Sequence, residues 1–334
     1  MVDSKKRNGV IDILRVVMAV LVITIHTAGT QKELSLIASS IARLAVPFFM
    51  CTTSYYFFSK NRSKDEVVKT IKKLLIIWLF WMIIYLPRLF FSLKNTSFSR
   101  SIYLIMRGFF GGSVNYGGSW YLLATAFGIL VIWWGREKNL NGAICFFSTI
   151  IFLGVLITTS YGGWITPNTL LYTLNDKLML ENTVVMGIPW IYFGSLISKY
   201  SFKSKLSFTL LFVALLLPIF EYVILKNYHF SFVIPDGRTR TDVMLTLPIS
   251  IFLIFKFTNT VNLTISKDLS SKCRDLSALV FFIHFGVNFV FSDIFKVEGG
   301  FSRFILVLMI SLTISIIYMI ISRIKIFNWM RLGY

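Results

Sequence analysis

Asp12, Arg15 and His26 interrupt an otherwise apolar run near the N-terminus. Arg15 and His26 are eleven residues apart. On an α-helix that is a rotation of about 1100°, some 20° beyond three full turns, so the two share one face. Their separation along the axis is about 16 Å. Asp12 lies one turn before Arg15 and can pair with it. The chemistry on offer is specific. An imidazole titrates near neutral pH and can take a proton from a hydroxyl, or can itself be acylated. A guanidinium suits anionic oxygens. An arginine at bilayer depth costs about 2.5–3.5 kcal/mol on insertion scales, which argues for a function that retains it. In the competing reading, Asp12 and Arg15 reach back to the near interface while His26 caps the far end of the helix.

The elements that must position these groups are set by composition. The chain has 334 residues, 56% hydrophobic and only 15% charged, where soluble domains carry about a quarter charged residues. The mean hydropathy of +0.73 agrees. Apolar residues come in blocks near 20 long, enough to cross roughly 30 Å of hydrocarbon as helices. They do not alternate as barrel strands would. The expected fold is an all-α polytopic membrane bundle of about ten helices, near 10–29, 37–58, 71–93, 119–135, 141–159, 184–200, 206–225, 243–257, 277–295 and 303–322. It reads as one integral membrane domain over 1–334, without internal repeat or soluble domain. The first apolar run follows Lys5, Lys6 and Arg7, but it is too long for a signal peptide and reads as an uncleaved helix.

With both termini cytoplasmic, the inner segments hold 21 of the 34 Lys and Arg residues and the outer segments ten. That is the positive-inside pattern. It accounts for the basic balance, helped by anionic lipid at the inner leaflet, without any nucleic-acid partner. Cys51, Cys145 and Cys273 have unrelated spacings and suit neither a disulfide framework nor a metal site. A glycine-rich outer loop (Gly111, Gly112, Gly117, Gly118) lacks the Lys-Ser/Thr ending of a phosphate loop. It reads as a cover over an outward cavity.

The run from Asp12 through Arg15 to His26 resembles the first helix of the acyltransferase 3 family of membrane acyltransferases. Further segments agree in order. Arg43, Val46-Pro47-Phe48-Phe49 and Ser54 resemble its second helix, and Trp120-Tyr121-Leu122 its Trp-aromatic-Leu signature. Asn182 and Gly194 resemble residues of a later helix, and Ser277 with His284 the Ser and His of the ninth. Cell-wall and surface-glycan acyltransferases, and the membrane domain of vancomycin-resistance serine racemases, look nearest. No soluble racemase domain is expected in this chain. It departs from the family pattern at Ser54-Tyr55, where Ser-Gly is usual, and at Lys69 and Lys72, where two arginines are.

The resemblance implies transfer of an acyl group, usually acetyl, from cytoplasmic acyl-CoA to a hydroxyl of an extracytoplasmic glycan or wall precursor. It also implies a bacterial plasma membrane. Acetyl-CoA or another acyl-CoA is then a co-substrate, and no tightly bound cofactor and no metal are expected. His26 and Arg15 are the candidate catalytic residues, His26 as general base or as acyl relay. Lys69, Lys72 and Lys73 are the candidate donor-binding residues, as point charges for phosphate. Arg43, Ser54, Trp120, Tyr121 and His284 are candidates for the acceptor side or the cavity. Each has a structural alternative: snorkelling for Arg43, ordinary packing for Ser54 and His284, and an interfacial aromatic belt for Trp120 and Tyr121. Glu221 and Asp293 are expected to be solvated at outer helix ends, and His229 carries no signal. The rival function is a transporter or exporter of an amino acid or glycan precursor, since polar groups near the midplane suit that too.

Overall fold

The computed structural model describes residues 8–94, 96–111, 118–200, 207–234, 239–261 and 263–334. Lys5, Lys6 and Arg7, Gly112 and Gly117 of the glycine-rich loop, and Lys203 and Lys205 lie outside them. The described residues are almost wholly helical. In chain order the helices are α1 (Gly9–Thr27), α2 (Lys32–Ser39), α3 (Ala45–Phe57), α4 (Lys64–Ile84), α5 (Leu86–Leu93), α6 (Phe98–Gly111), α7 (Ser119–Glu137) and α8 (Asn141–Thr158). They continue as α9 (Leu170–Leu178), α10 (Gly187–Ile197), α11 (Ser207–Asn227), α12 (Thr246–Val261), α13 (Lys267–Phe289) and α14 (Phe301–Ile321). Short 3-10 segments cover Ile41–Leu44, Leu180–Asn182, Val184–Met186 and Lys325–Gly333.

Six helical stretches among the described residues are long and apolar enough to cross a membrane: Gly9–Thr27, Lys32–Phe57, Asn141–Thr158, Phe208–Asn227, Lys267–Ile294 and Phe301–Ile321. Two shorter apolar helical stretches, Val184–Ile197 and Thr246–Val261, accompany them. Backbone groups in hydrocarbon must be satisfied within the chain, which helices accomplish segment by segment. The outward faces agree: Phe146, Phe147 and Ile150 of α8 and Met309, Ile316 and Ile320 of α14 are all exposed apolar side chains.

Local sequence explains where helices begin. Asn8 caps α1 by accepting from the Val10 amide. Ser63 and Glu66 form a reciprocal capping box that starts α4 seven residues ahead of the expected position. Ser266 caps α13, which starts ten residues early. The apolar pattern alone misses such starts because capped first turns are polar. The expected second helix is broken: backbone angles of −125° and −90° at Ser40 end α2, and the 3-10 turn Ile41–Leu44 carries Arg43 into α3.

The bundle is organised around α1, which packs against α2, α3, α13 and α14, while α10 packs against α3 and α7. Helices α1 and α13 run parallel in constant register. Asp12 meets Ser270, 258 positions away. Fourteen residues further along each helix, or about 21 Å, His26 meets His284. The face of the bundle on which α1 begins is called proximal, and the opposite face distal. Close approach of α3 and α10 requires Gly194, where a Cβ would lie 2.5 Å from the Cys51 carbonyl oxygen. Small residues at helix crossings are the usual device in apolar surroundings.

Candidate active site

At the proximal end of the α1–α13 seam, Asp12 is buried and serves two arginines. Arg274 lies 3.3 Å from its carboxylate and Arg15 3.9 Å. The Ser270 hydroxyl donates to the same carboxylate, and Arg274 donates to that hydroxyl at 2.6 Å. Asp12 sits in the first turn of α1, where the helix dipole favours an anion. Arg274 and Ser270 complete this network but fall before the expected start of their helix. Their one-turn spacing, visible once the Ser266 cap is recognised, was the available signal. Arg15 keeps a buried Nε without partner among the described residues.

Between the two polar ends, Ala19 and Val22 lie on the same face of α1 as Arg15 and His26, at helical spacings of four, seven and eleven. Both are buried. Val22 also lines the distal cavity described next.

At the distal end a cavity of about 1080 Å³ is lined by His26, Arg43, Trp120, Asn182, Asp242 and Arg303, among others. His26 precedes Gly29, whose φ of +57° turns the chain away from α1. A side chain at Gly29 would also strike the backbone of Gly299, 2.6 Å away. That contact brings the start of α14 to the end of α1, and Arg303 reaches the His26 carbonyl at 3.5 Å. Among the described residues no group hydrogen-bonds either ring nitrogen of His26. Its ring lies 4.3 Å from that of Phe285 and 5.5 Å from that of His284.

Arg43 forms an ion pair with Asp242. Arg240 pairs with Glu181 at 3.5 Å and Asp176 at 3.6 Å, and donates to the carbonyls of Asn175 and Asp176. Its guanidinium also covers the Phe232 ring, 5.4 Å from the centroid. Arg240 thereby ties the α9 segment to the isolated antiparallel bridge between Val233 and Thr239. Burial, reinforced by the charge of Asp242, pushes the Glu181 carboxyl up to about 7, against the pull of Arg240 and Arg43. Lys226 and Arg303 also line the cavity and hold no ion pair among the described residues.

On the proximal face, Lys69, Lys72 and Lys73 line a groove of about 610 Å³ with Asp65 and Arg331. Their spacing along α4 puts the three lysines on one side of the helix. Arg331 comes from the C-terminal 3-10 segment, which is docked by Trp81 donating to the Gly333 carbonyl at 2.8 Å and Tyr318 donating to that of Met330 at 2.6 Å. Sequence reasoning missed Arg331, because nothing local signals that this tail folds back onto α4.

The other expected site residues divide as follows. Arg43 and Trp120 line the distal cavity. Tyr121 is not among its lining residues and packs between Phe49 and Phe281, at 6.2 and 5.4 Å. His284 is fully buried behind Phe281 and Phe285, with its Nδ1 3.0 Å from the Val280 carbonyl. Ser54 departs from the expected cavity position: it is fully buried and its only proton is donated to the Ile191 carbonyl, so it joins α3 to α10. Glu221 is likewise not solvated. It is buried and accepts from the amides of Leu245 and Thr246 at 2.7 Å each and from Tyr161 at 2.9 Å. These amides lead into α12, whose first turn has donors without intrahelical partners. Asp293 is exposed, as expected, and His229 lines the cavity.

An all-helical bundle with membrane-length apolar helices, charged networks inside it and polar hollows at its two faces defines a multi-pass membrane protein. The chain belongs to the acyltransferase 3 family: residues 8–320 match that family's model, an acyltransferase domain. It is 26% identical over 268 residues to a serine/alanine racemase of Enterococcus gallinarum, which covers 75% of this chain and 37% of the relative. It is 28% identical over 239 residues to an amino-acid racemase of Enterococcus faecalis, covering 67% of this chain and 30% of that protein. The chain thus spans about a third of the length of these curated relatives. No solved structure matches it.

Proposed function

We propose that this chain is a membrane O-acyltransferase with ten spans and both termini in the cytoplasm. It carries an acyl group, acetyl in the simplest case, from cytoplasmic acyl-CoA to a hydroxyl of an extracytoplasmic glycan or wall acceptor. The orientation rests on the Lys and Arg excess of the proximal segments. The observation that carries the reading is His26: an imidazole with both nitrogens unpartnered among the described residues, lining a large distal cavity opposite a cationic proximal groove. Lys69, Lys72, Lys73 and Arg331 hold the donor phosphates as charges, and Arg331 adds a planar fork.

In the transfer step the acceptor oxygen attacks the thioester carbonyl while His26 takes its proton. The carbon–oxygen bond forms, the carbon–sulfur bond breaks, and the thiolate leaves and is protonated. Arg15, Arg274 and Asp12 anchor the proximal end of the path along which the acyl arm must pass, and that path runs by buried Ala19 to Val22 at the cavity. Arg43, Lys226 and Arg303 favour an acceptor that bears a negative group.

The test uses His26→Ala and Arg15→Ala in a deletion background, with surface-glycan esters measured by mass spectrometry. His26→Ala is expected to lower ester content by about 10²-fold or more, the usual effect of losing a general base, with polymer export unchanged. Wild-type ester content in that variant would remove the assignment. One finding favours a second reading, passage of an amino acid through the bundle: both curated relatives are amino-acid racemases. Loss of amino-acid uptake in the same variants, with esters intact, would select it.

A further inference from the structure

We propose that His284 is a positioning residue that fixes which ring nitrogen of His26 carries the proton. His284 is fully buried, and its Nδ1 lies 3.0 Å from the Val280 carbonyl. A carbonyl can only accept, so Nδ1 holds the hydrogen and Nε2 is left as a bare lone pair. That Nε2 is buried and has no partner among the described residues. Buried acceptors are nearly always satisfied, so the orphan calls for a donor within reach.

The structure offers one. The His26 ring is 5.5 Å away, tilted by 32°, and Phe285 packs 4.3 Å from both imidazoles. His26 has no hydrogen-bond partner among the described residues and faces open space on its cavity side. Rotation of its ring against Phe285, or one bridging hydroxyl, brings its N–H to the His284 lone pair. The second nitrogen of His26 then presents its own lone pair to the cavity. Among the described residues no carboxylate hydrogen-bonds to the His26 ring, so none takes this orienting role; the side-chain bond at His26 is the one its carbonyl accepts from Arg303. A neutral imidazole supplies the acceptor without placing a charge in an apolar seam.

Local architecture holds His284 for the task. The Tyr85 hydroxyl sits at the Phe282–Gly286 rung of α13, donating to the Phe282 carbonyl at 2.7 Å and accepting from the Gly286 amide at 3.0 Å. The turn that carries His284 is therefore pinned from α4. The constant register of α1 and α13, anchored at Asp12 and Ser270, brings the two rings to the same depth.

The chain has only three histidines, so ¹⁵N-histidine labelling of the full chain in detergent gives three resolvable rings. Long-range ¹H–¹⁵N spectra report the tautomer of each, and His26→Ala assigns the His26 signals. In the wild type, His284 is expected as the pure Nδ1–H tautomer and His26 as a single tautomer. His284→Phe should turn His26 into a mixture. His284→Asn keeps an N–H for the Val280 carbonyl, removes the Nε2 lone pair and should scramble His26 equally. An unchanged His26 spectrum in either folded variant overturns the proposal. The tautomer claim is independent of acyl transfer, whereas its effect on rate rests on the proposed function. In a transfer assay His284→Asn should lower kcat about 10- to 100-fold with the acceptor KM unchanged. A scrambled His26 in a protein whose wild type shows no transfer would refute that function and leave the positioning role standing.

Discussion

Buried charge in this protein is arranged so that removal of one carboxylate strands more than one neighbour. Asp12 serves both Arg15 and Arg274. Asp12→Asn should therefore destabilise the protein by about 2–3 kcal/mol, somewhat less than the about 3–5 kcal/mol for breaking a fully buried pair, since both guanidiniums keep some solvent. A melting curve in detergent reads this, and an unchanged midpoint would mean that the network carries no stability. Glu181 gives a pH signature. Its carboxyl titrates at about 7 in the folded chain against 4.5 ordinarily, so folding favours its protonated form. The stability it contributes is complete below about pH 4.5 and fades as pH climbs through 7. Hydrogen exchange in residues 170–182 should accelerate across that window in the wild type, while Glu181→Gln should flatten the dependence. Equal pH dependence in both proteins would contradict this account of Glu181.

Helices here meet through small side chains, and the seams differ in purpose. The α3–α10 crossing is tight at Gly194, where Cys51 backbone leaves no space for a Cβ. On α1, buried Ala19 is small for a different proposed reason, passage of the acyl arm. Ala19→Phe is therefore expected to abolish ester formation while donor binding at Lys69, Lys72 and Lys73 persists, as measured by isothermal titration with coenzyme A. Ester formation at the wild-type rate would rule out a path along this face. Overpacking alone costs about 1–3 kcal/mol, so a detergent melt on the same variant separates blockage from unfolding. The helix starts at Ser63 and Ser266 were readable from capping residues. The break at Ser40 was not, because residues 32–57 are apolar enough on average to read as one membrane-length helix.

Across the whole molecule, the two polar hollows lie on opposite faces, and the proposed orientation assigns one to each compartment. Reporter fusions after Tyr334 and in the segment around Trp164 should report opposite sides of the membrane, the first cytoplasmic. The same side for both would overturn the proposed topology. Sequence by itself determined the all-helical membrane class, the family resemblance and the shared face of Arg15 and His26, because these depend on composition and on a fixed rotation per residue. It could not determine which residues meet across the bundle. The partners of Asp12 on α13, the Arg240–Glu181 pair, the folding-back of Arg331 and the meeting of His26 with His284 all join positions far apart in the chain. In an apolar medium every helix offers a similar greasy surface, so only three-dimensional packing selects which polar side chains find one another.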